Sequence, residues 1–412
     1  MTQARKHVRL VESRLPGRSA TVAVLVSILA CAENSPVVPP TNTPPLTVVG
    51  SGAVTERYTA EVWVSGNVAY TTTWGSRHAG GNAIKIWDVT GDWTALVDSV
   101  LVPNALTLGD IQASDDGSLL VVATEFGGPG SIAIYSLANP QKPQLISRYS
   151  SALTNPGVHT AEVQRVNGKL YAFLSIDPGG GSLARLVIVD LSDPAAPTQV
   201  FTAVMGNPYM HDVYVRDGIL MTALWNDGLT LWDIGGAGSG SVSNPIALGN
   251  VGTVGGKVHN VWWYHNAATG ERRFAFVGEE GPGAIGSSSS GDIHVVDVSN
   301  FASPREVAFF HINGAGTHNF SVDEDRGILY AAYYNAGVRA IDVRGDLSSC
   351  GASDKSADGR CDLARMGKEL AHWPGDIQQV YVWGVQLSGG HVYASDMLNG
   401  IWKLSPASLP AR

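Results

Sequence analysis

Four histidines recur in one register along the chain: His159-Thr160-Ala161-Glu162-Val163, His211-Asp212-Val213-Tyr214-Val215, His259-Asn260-Val261-Trp262-Trp263 and His318-Asn319-Phe320-Ser321-Val322. Each opens what reads as the same β-strand. Imidazole is a ligand for zinc, iron and copper, so His159, His211, His259 and His318 are the candidates for a transition-metal centre. The competing expectation is structural: a duplicated histidine whose ring donates to the backbone of the next repeat, as buried polar groups must find partners. Asp212, Asn260 and Asn319, each beside its histidine, fit either as orienters of a ligating ring or as turn caps. Further acidic and amide groups are expected around them. Glu61 and Asp110 head the equivalent strands that lack histidine, while Glu125, Asp177, Asn226, Asp227, Glu279, Asn335 and Asp396 follow the second strands.

A second set of oxygen ligands lies at residues 354–362, where Asp354, Ser356, Asp358 and Asp362 alternate around Gly359 like the start of a calcium loop. Arg365 stands where the bidentate glutamate of such a loop belongs, which favours a solvated turn. No HExxH, phosphate-binding glycine loop, GxSxG or CxxC motif is present.

The elements that position these side chains are read from an internal repeat. Seven units follow residue 46, and the third strand of each is the clearest: residues 84–88, 132–136, 186–190, 229–233, 293–297, 338–342 and 401–405. Five of the seven end in Asp, whose carboxylate can accept hydrogen bonds from the backbone two residues on and hold the next turn. Four short strands are found in six units, and the last stops after its third. The segment 46–49 stands alone and can supply the missing strand. This predicts an all-β, seven-bladed β-propeller of four-stranded blades, with the last blade closed by the N-terminal strand and no open sheet edge left between the termini. Residues 344–367 read as an insertion, with Cys350 and Cys361 forming a disulfide that closes it.

The segment Leu186-Val187-Ile188-Val189-Asp190, followed by Leu191-Ser192-Asp193-Pro194-Ala195-Ala196-Pro197, resembles the LVIVD-repeat proteins. The resemblance extends over residues 46–405 and implies an extracytoplasmic propeller, often surface-anchored, with no single activity attached. Ser136 and Ser405 depart from it where the other units carry Asp.

Residues 1–30 read as a signal peptide: Arg5, Lys6, Arg9, Arg14 and Arg18 precede the apolar run 21–30, which is too short to span a bilayer. Ile28-Leu29-Ala30-Cys31 resembles the lipobox of bacterial lipoproteins, which implies Cys31 as the lipid anchor. Residues 31–45 are proline-rich and are expected to form a tether. Without residues 1–30 the chain keeps 27 − 5 = 22 basic against 36 − 1 = 35 acidic residues. That balance argues against a nucleic-acid partner.

Together these features predict a monomeric module of the bacterial cell envelope, at the outer membrane or in the periplasm, held to the membrane by its lipid anchor. It would bind a protein or small-molecule ligand through its loop-rich face. The alternatives are a metal-dependent enzyme, redox or hydrolytic, using a four-histidine site with Fe, Zn or Cu, and a structural surface protein. Calcium is the cofactor of the 354–362 loop only in the alternative to a solvated turn.

Overall fold

The computed structural model describes residues 46–374, 379–407 and 409. The expected signal peptide, the Cys31 anchor and the tether lie outside the described residues. Seven antiparallel sheets follow one another along the chain, and six of them take four consecutive main strands in sequence order. The inner strands of blades 1 to 7 are Tyr58–Ser65, Leu108–Ala113, Val158–Val166, Asp212–Arg216, Val258–Trp263, Phe320–Asp323 and Val382–Ser388. Blade 7 is completed by Thr47–Ala53, which pairs antiparallel with Gly400–Ser405. The predicted closure by the N-terminal strand is therefore present.

A blade packs against a neighbour on each side, so its middle strands bury both faces. This explains why the third strands read as continuous apolar runs rather than alternating ones. Leu186, Val187, Ile188 and Val189 are all fully buried, each contributing on the order of 2 kcal/mol of transfer free energy. The core is accordingly divided into wedges between blades. One cluster joins Val121 and Ile134 of blade 2 to Ala161 and Leu174 of blade 3, and another joins Phe276 and Val295 of blade 5 to Leu329 and Ile341 of blade 6.

The aspartates that end third strands hold turns as expected. Asp88, Asp190, Asp297 and Asp342 each accept from the backbone N–H two residues on, at 2.8 to 3.1 Å. Asp233 goes further, accepting from the N–H groups of Gly235, Gly236, Ala237 and Gly240 at 2.8 to 2.9 Å.

The Cys350–Cys361 disulfide is formed. Its loop contains a short 3₁₀ turn, Ala352–Asp354, and returns as a two-residue strand, Cys361–Asp362, that pairs parallel with the outer strand of blade 5, Arg305–Phe310. Blade 5 thus gains a fifth strand, a pairing too short to leave a pattern in the sequence.

Candidate metal centre at the channel mouth

A propeller's inner strands line its axis, so one register position from every blade meets at one level. The histidine position is held by Ala60, Gly109, His159, His211, His259, His318 and Trp383 in blades 1 to 7. Four rings on adjacent blades cover an arc of roughly 200° at ~51° per blade, yet the circuit closes. Ring centroids are 4.2 Å apart from His159 to His211, from His211 to His259 and from His259 to His318. Trp383 follows at 4.1 Å, Trp74 at 4.9 Å from Trp383, and His159 lies 6.3 Å from Trp74. Trp74, at the end of the second strand of blade 1, completes the ring where Ala60 and Gly109 leave space.

The backbone N–H groups of His211 and His318 donate to the carbonyls of Ala223 and Ala332, each at 2.8 Å, fixing where the rings emerge. Buried Nδ1 atoms of His211, His259 and His318 meet no hydrogen-bonding partner of normal geometry among the described residues. The stitching expected of the histidines is carried out lower in the channel. Gln112, Ser321 and Gln386 each accept from an N–H of the next blade, those of Val163, Leu387 and Val64, and Asp110 accepts from Ala161.

The imidazoles converge on a residue absent from the sequence-based set. Glu280, in the loop after the second strand of blade 5, places Oε2 3.2 Å from His211 Nε2 and 4.0 Å from His259 Nε2. Its Oε1 lies 3.9 Å from His318 Nε2 and accepts from the Tyr334 hydroxyl. One ligand atom each from His211, His259 and Glu280 falls within 4.8 Å of the others. Glu279, the neighbour singled out in the sequence, faces outward to His294, whose Nε2 is 3.5 Å from its Oε2. Adjacent residues at a strand end face opposite sides, so a one-residue difference exchanges a channel-mouth carboxylate for a peripheral one.

Burial, reinforced by the neighbouring imidazoles, holds His259 down to about 3 and keeps His211 and His318 well below the ordinary histidine range. All three rings are therefore neutral at physiological pH and present lone pairs, the form that ligates metal. His159 differs. Burial opposes its charge, but Glu125 at 3.1 Å and Asp177 at 4.0 Å from Nδ1 outweigh it and raise the ring to about 10.

Ligands about 2.1 Å from one ion stand roughly 3.0 to 3.5 Å from each other in octahedral or tetrahedral geometry. The separations of Glu280 Oε2 from His211 and His259, 3.2 and 4.0 Å, need contraction of under ~1 Å to meet that range. His211, His259 and Glu280 are thus the ligand group that could hold a divalent transition metal, and His318 lies at the other carboxylate oxygen, outside that group. Trp225 and Tyr334, which both adopt the left-handed conformation (φ 54° and 37°), lie against the rings of His211 and His318. Such backbone strain at bulky residues is concentrated at functional sites.

One layer below, Glu61, Asp110, Asp212, Asn260 and Asn319 line a channel cavity of about 510 Å³. Glu162 lies deeper in it, an acid not singled out in the sequence. Burial, then mutual repulsion, raises Glu61 and Asp212 to about 8 and holds Glu162 well above the ordinary range, while burial alone pushes Asp110 up. Asp227 is exposed at the surface. The oxygens of the proposed calcium loop are engaged otherwise: Asp358 by Ser356 and Arg360, Asp362 by Arg365 and the N–H groups of Ala364 and Arg365. Asp354 gathers with neither aspartate as a ligand group among the described residues.

Residues 182–204 and 288–311 match the LVIVD repeat, each covering the outer half of a blade, in blades 3 and 5. No curated protein matches the chain. Among solved structures the chain is similar to Saccharomyces cerevisiae Sqt1, at 8% identity over 90% of this chain and 88% of that one, with a TM-score of 0.54. It is also similar to the C-terminal WD40 domain of Sif2, at 10% identity over 90% and 99% with a TM-score of 0.55, and to U3-55K, at 12% over 89% and 100% with a TM-score of 0.56. At such identities the likeness establishes the propeller fold alone.

Proposed function

We propose that this LVIVD-repeat propeller is an extracytoplasmic binding module whose loop-rich face carries a divalent transition metal held by His211, His259 and Glu280, with His318 beside them. The observation that carries the reading is the convergence of two imidazole nitrogens and one carboxylate oxygen on a common point, with a third imidazole on the other oxygen. Iron, zinc and copper all suit this nitrogen-rich set. Tyr334, by donating to Glu280, would orient the carboxylate toward the ion.

The same face supports a docked ligand. Leu106, Phe126, Leu183, Tyr209 and Val254 are exposed apolar side chains in the loops that border the ring on blades 1 to 4. A protein or small molecule seated there would meet the metal at the edge of its contact. Anchoring through Cys31 in the bacterial envelope completes the reading, with the propeller presented on its proline-rich tether.

The test is metal analysis of protein purified without chelator, alongside His211→Ala, His259→Ala and Glu280→Gln. Bound metal in the wild type that is lost in the three variants, with their thermal unfolding still cooperative, supports the reading. Protein that stays metal-free after incubation with each of Fe(II), Zn(II) and Cu(II) contradicts it and leaves the interaction module alone.

A further inference from the structure

Beside the histidines that face Glu280, the fourth histidine has its own carboxylates. His159 Nδ1 lies 3.1 Å from Glu125 Oε1 and 4.0 Å from Asp177 Oδ2, and one ligand atom from each of the three falls within 4.8 Å of the others. Glu125 follows the second strand of blade 2 and Asp177 that of blade 3, so the cluster spans a blade interface. Two glycines keep the space open. A Cβ on Gly109 would stand 3.0 Å from Glu125 Oε1, and one on Gly157, whose φ is +145°, would stand 3.2 Å from Asp177 Oδ2.

The charge balance is unusual for a plain ion pair. Glu125 is almost completely buried and Asp177 largely so, and among the described residues the only ion-pair partner of either is His159. One imidazolium cannot neutralise two carboxylates. A buried carboxylate without compensation is costly, whereas a divalent cation balances both.

We propose that Glu125, His159 and Asp177 hold a second divalent cation, so that the channel mouth is a two-metal centre. This rests on the metal reading of the neighbouring histidines for its pairing but not for its own ligands. The rings of His159 and His211 are 4.2 Å apart, which places the two ligand groups side by side. Their chemistry differs: the first is rich in imidazole, and the second, with two carboxylates and one nitrogen, suits a harder ion such as Mn(II). Two divalent ions facing Glu125, Asp177 and Glu280 leave one net positive charge, the local condition for an anionic oxygen ligand bridging the pair.

Equilibrium dialysis of the full chain against Mn(II) and Zn(II), followed by metal counting, tests this. The expected ratio is two ions per chain, falling to one in Glu125→Gln and in Asp177→Asn, and to one in the His211→Ala/His259→Ala double variant. Asp177 is the more exposed of the two acids, so Asp177→Asn guards against a folding defect in Glu125→Gln. A ratio of one that disappears in Asp177→Asn but survives the double histidine variant upholds the second site and overturns the first. A ratio of one or zero that neither Glu125→Gln nor Asp177→Asn changes overturns the proposal and leaves His159 a buried ion pair. In the doubly loaded Mn(II) form, an exchange-coupled electron paramagnetic resonance spectrum is expected, and two isolated Mn(II) signals would refute the pairing.

Discussion

The acidic ring beneath the histidines makes stability depend on pH in a direction opposite to that of ordinary paired carboxylates, and Glu61→Gln isolates the effect. Glu61 is buried, its Oε1 accepting from the Val62 N–H at 2.9 Å and its Oε2 from Asn319. The carboxylate occupies the room that Gly384 leaves by lacking a Cβ. Burial and the charge of Asp110 raise its pKa from 4.5 to about 8. The folded state therefore binds the proton more tightly than the unfolded one. The stability this contributes is complete below about pH 4.5, declines as pH rises, and is gone above about pH 8. An elevation of that size corresponds to at most about 5 kcal/mol. The cavity is large enough for solvent, and Asp110 and Asp212 titrate with Glu61 as a set, so about 2 kcal/mol is expected in practice. Glutamine keeps the acceptor for Val62 and removes the titration, with Asn319 turning its amide to match. Chemical denaturation in chelator, at pH 5, 6, 7 and 8, should find the variant within ~0.5 kcal/mol of wild type at pH 5 and more stable by about 2 kcal/mol at pH 8. Because both proteins share the same histidines, their titration cancels in the difference. Parallel stability curves for the two proteins would refute the reasoning.

Three further outcomes follow from named contacts. Tyr334→Phe removes the hydroxyl that donates to Glu280, and the affinity of the first site for metal, measured by competition with a chromogenic chelator, should fall about 10- to 100-fold with the melting temperature of the metal-free protein little changed. Asp233→Ala strips the acceptor from four backbone N–H groups and should cost about 2 to 3 kcal/mol in denaturant titration. Those bonds depress the Asp233 pKa, so their contribution is present above the ordinary aspartate pKa and lost as pH falls, and the variant should show less acid sensitivity. Replacing Cys350 and Cys361 by Ser opens an 11-residue separation, worth up to about 3 kcal/mol of chain entropy. Since the loop is peripheral, hydrogen exchange should rise in residues 350–367 well before the propeller unfolds.

Much of this architecture is legible because propeller blades repeat. A third strand buried on both faces must be an unbroken apolar run, so Leu186-Val187-Ile188-Val189-Asp190 announces itself, and the aspartates at the ends of such strands carry the turn that follows. The histidine register is legible for the same reason, since duplication keeps a channel residue in phase. What escapes notice is what the repeat does not encode. Glu280 differs from Glu279 only by parity at a strand end, and a loop sequence does not reveal which of two glutamates turns inward. Trp74 completes the ring from a blade whose register position is Ala60, so nothing in the histidine pattern points to it. The engaged state of Asp358 and Asp362 depends on Arg360 and Arg365, of which only Arg365 stands out in the sequence, as a departure from a calcium loop. The fifth strand of blade 5 rests on a two-residue backbone pairing, which side-chain patterning cannot signal.

The central claim is that the imidazole arc closes on an ion rather than on the blades. Anomalous diffraction at the metal edge, from crystals grown with Zn(II) or Fe(II), tests it most directly. A peak is expected about 2.0 to 2.2 Å from His211 Nε2, His259 Nε2 and a Glu280 oxygen, with His318 adjacent. A fully occupied metal elsewhere on the protein, with no anomalous density among these residues, would contradict it.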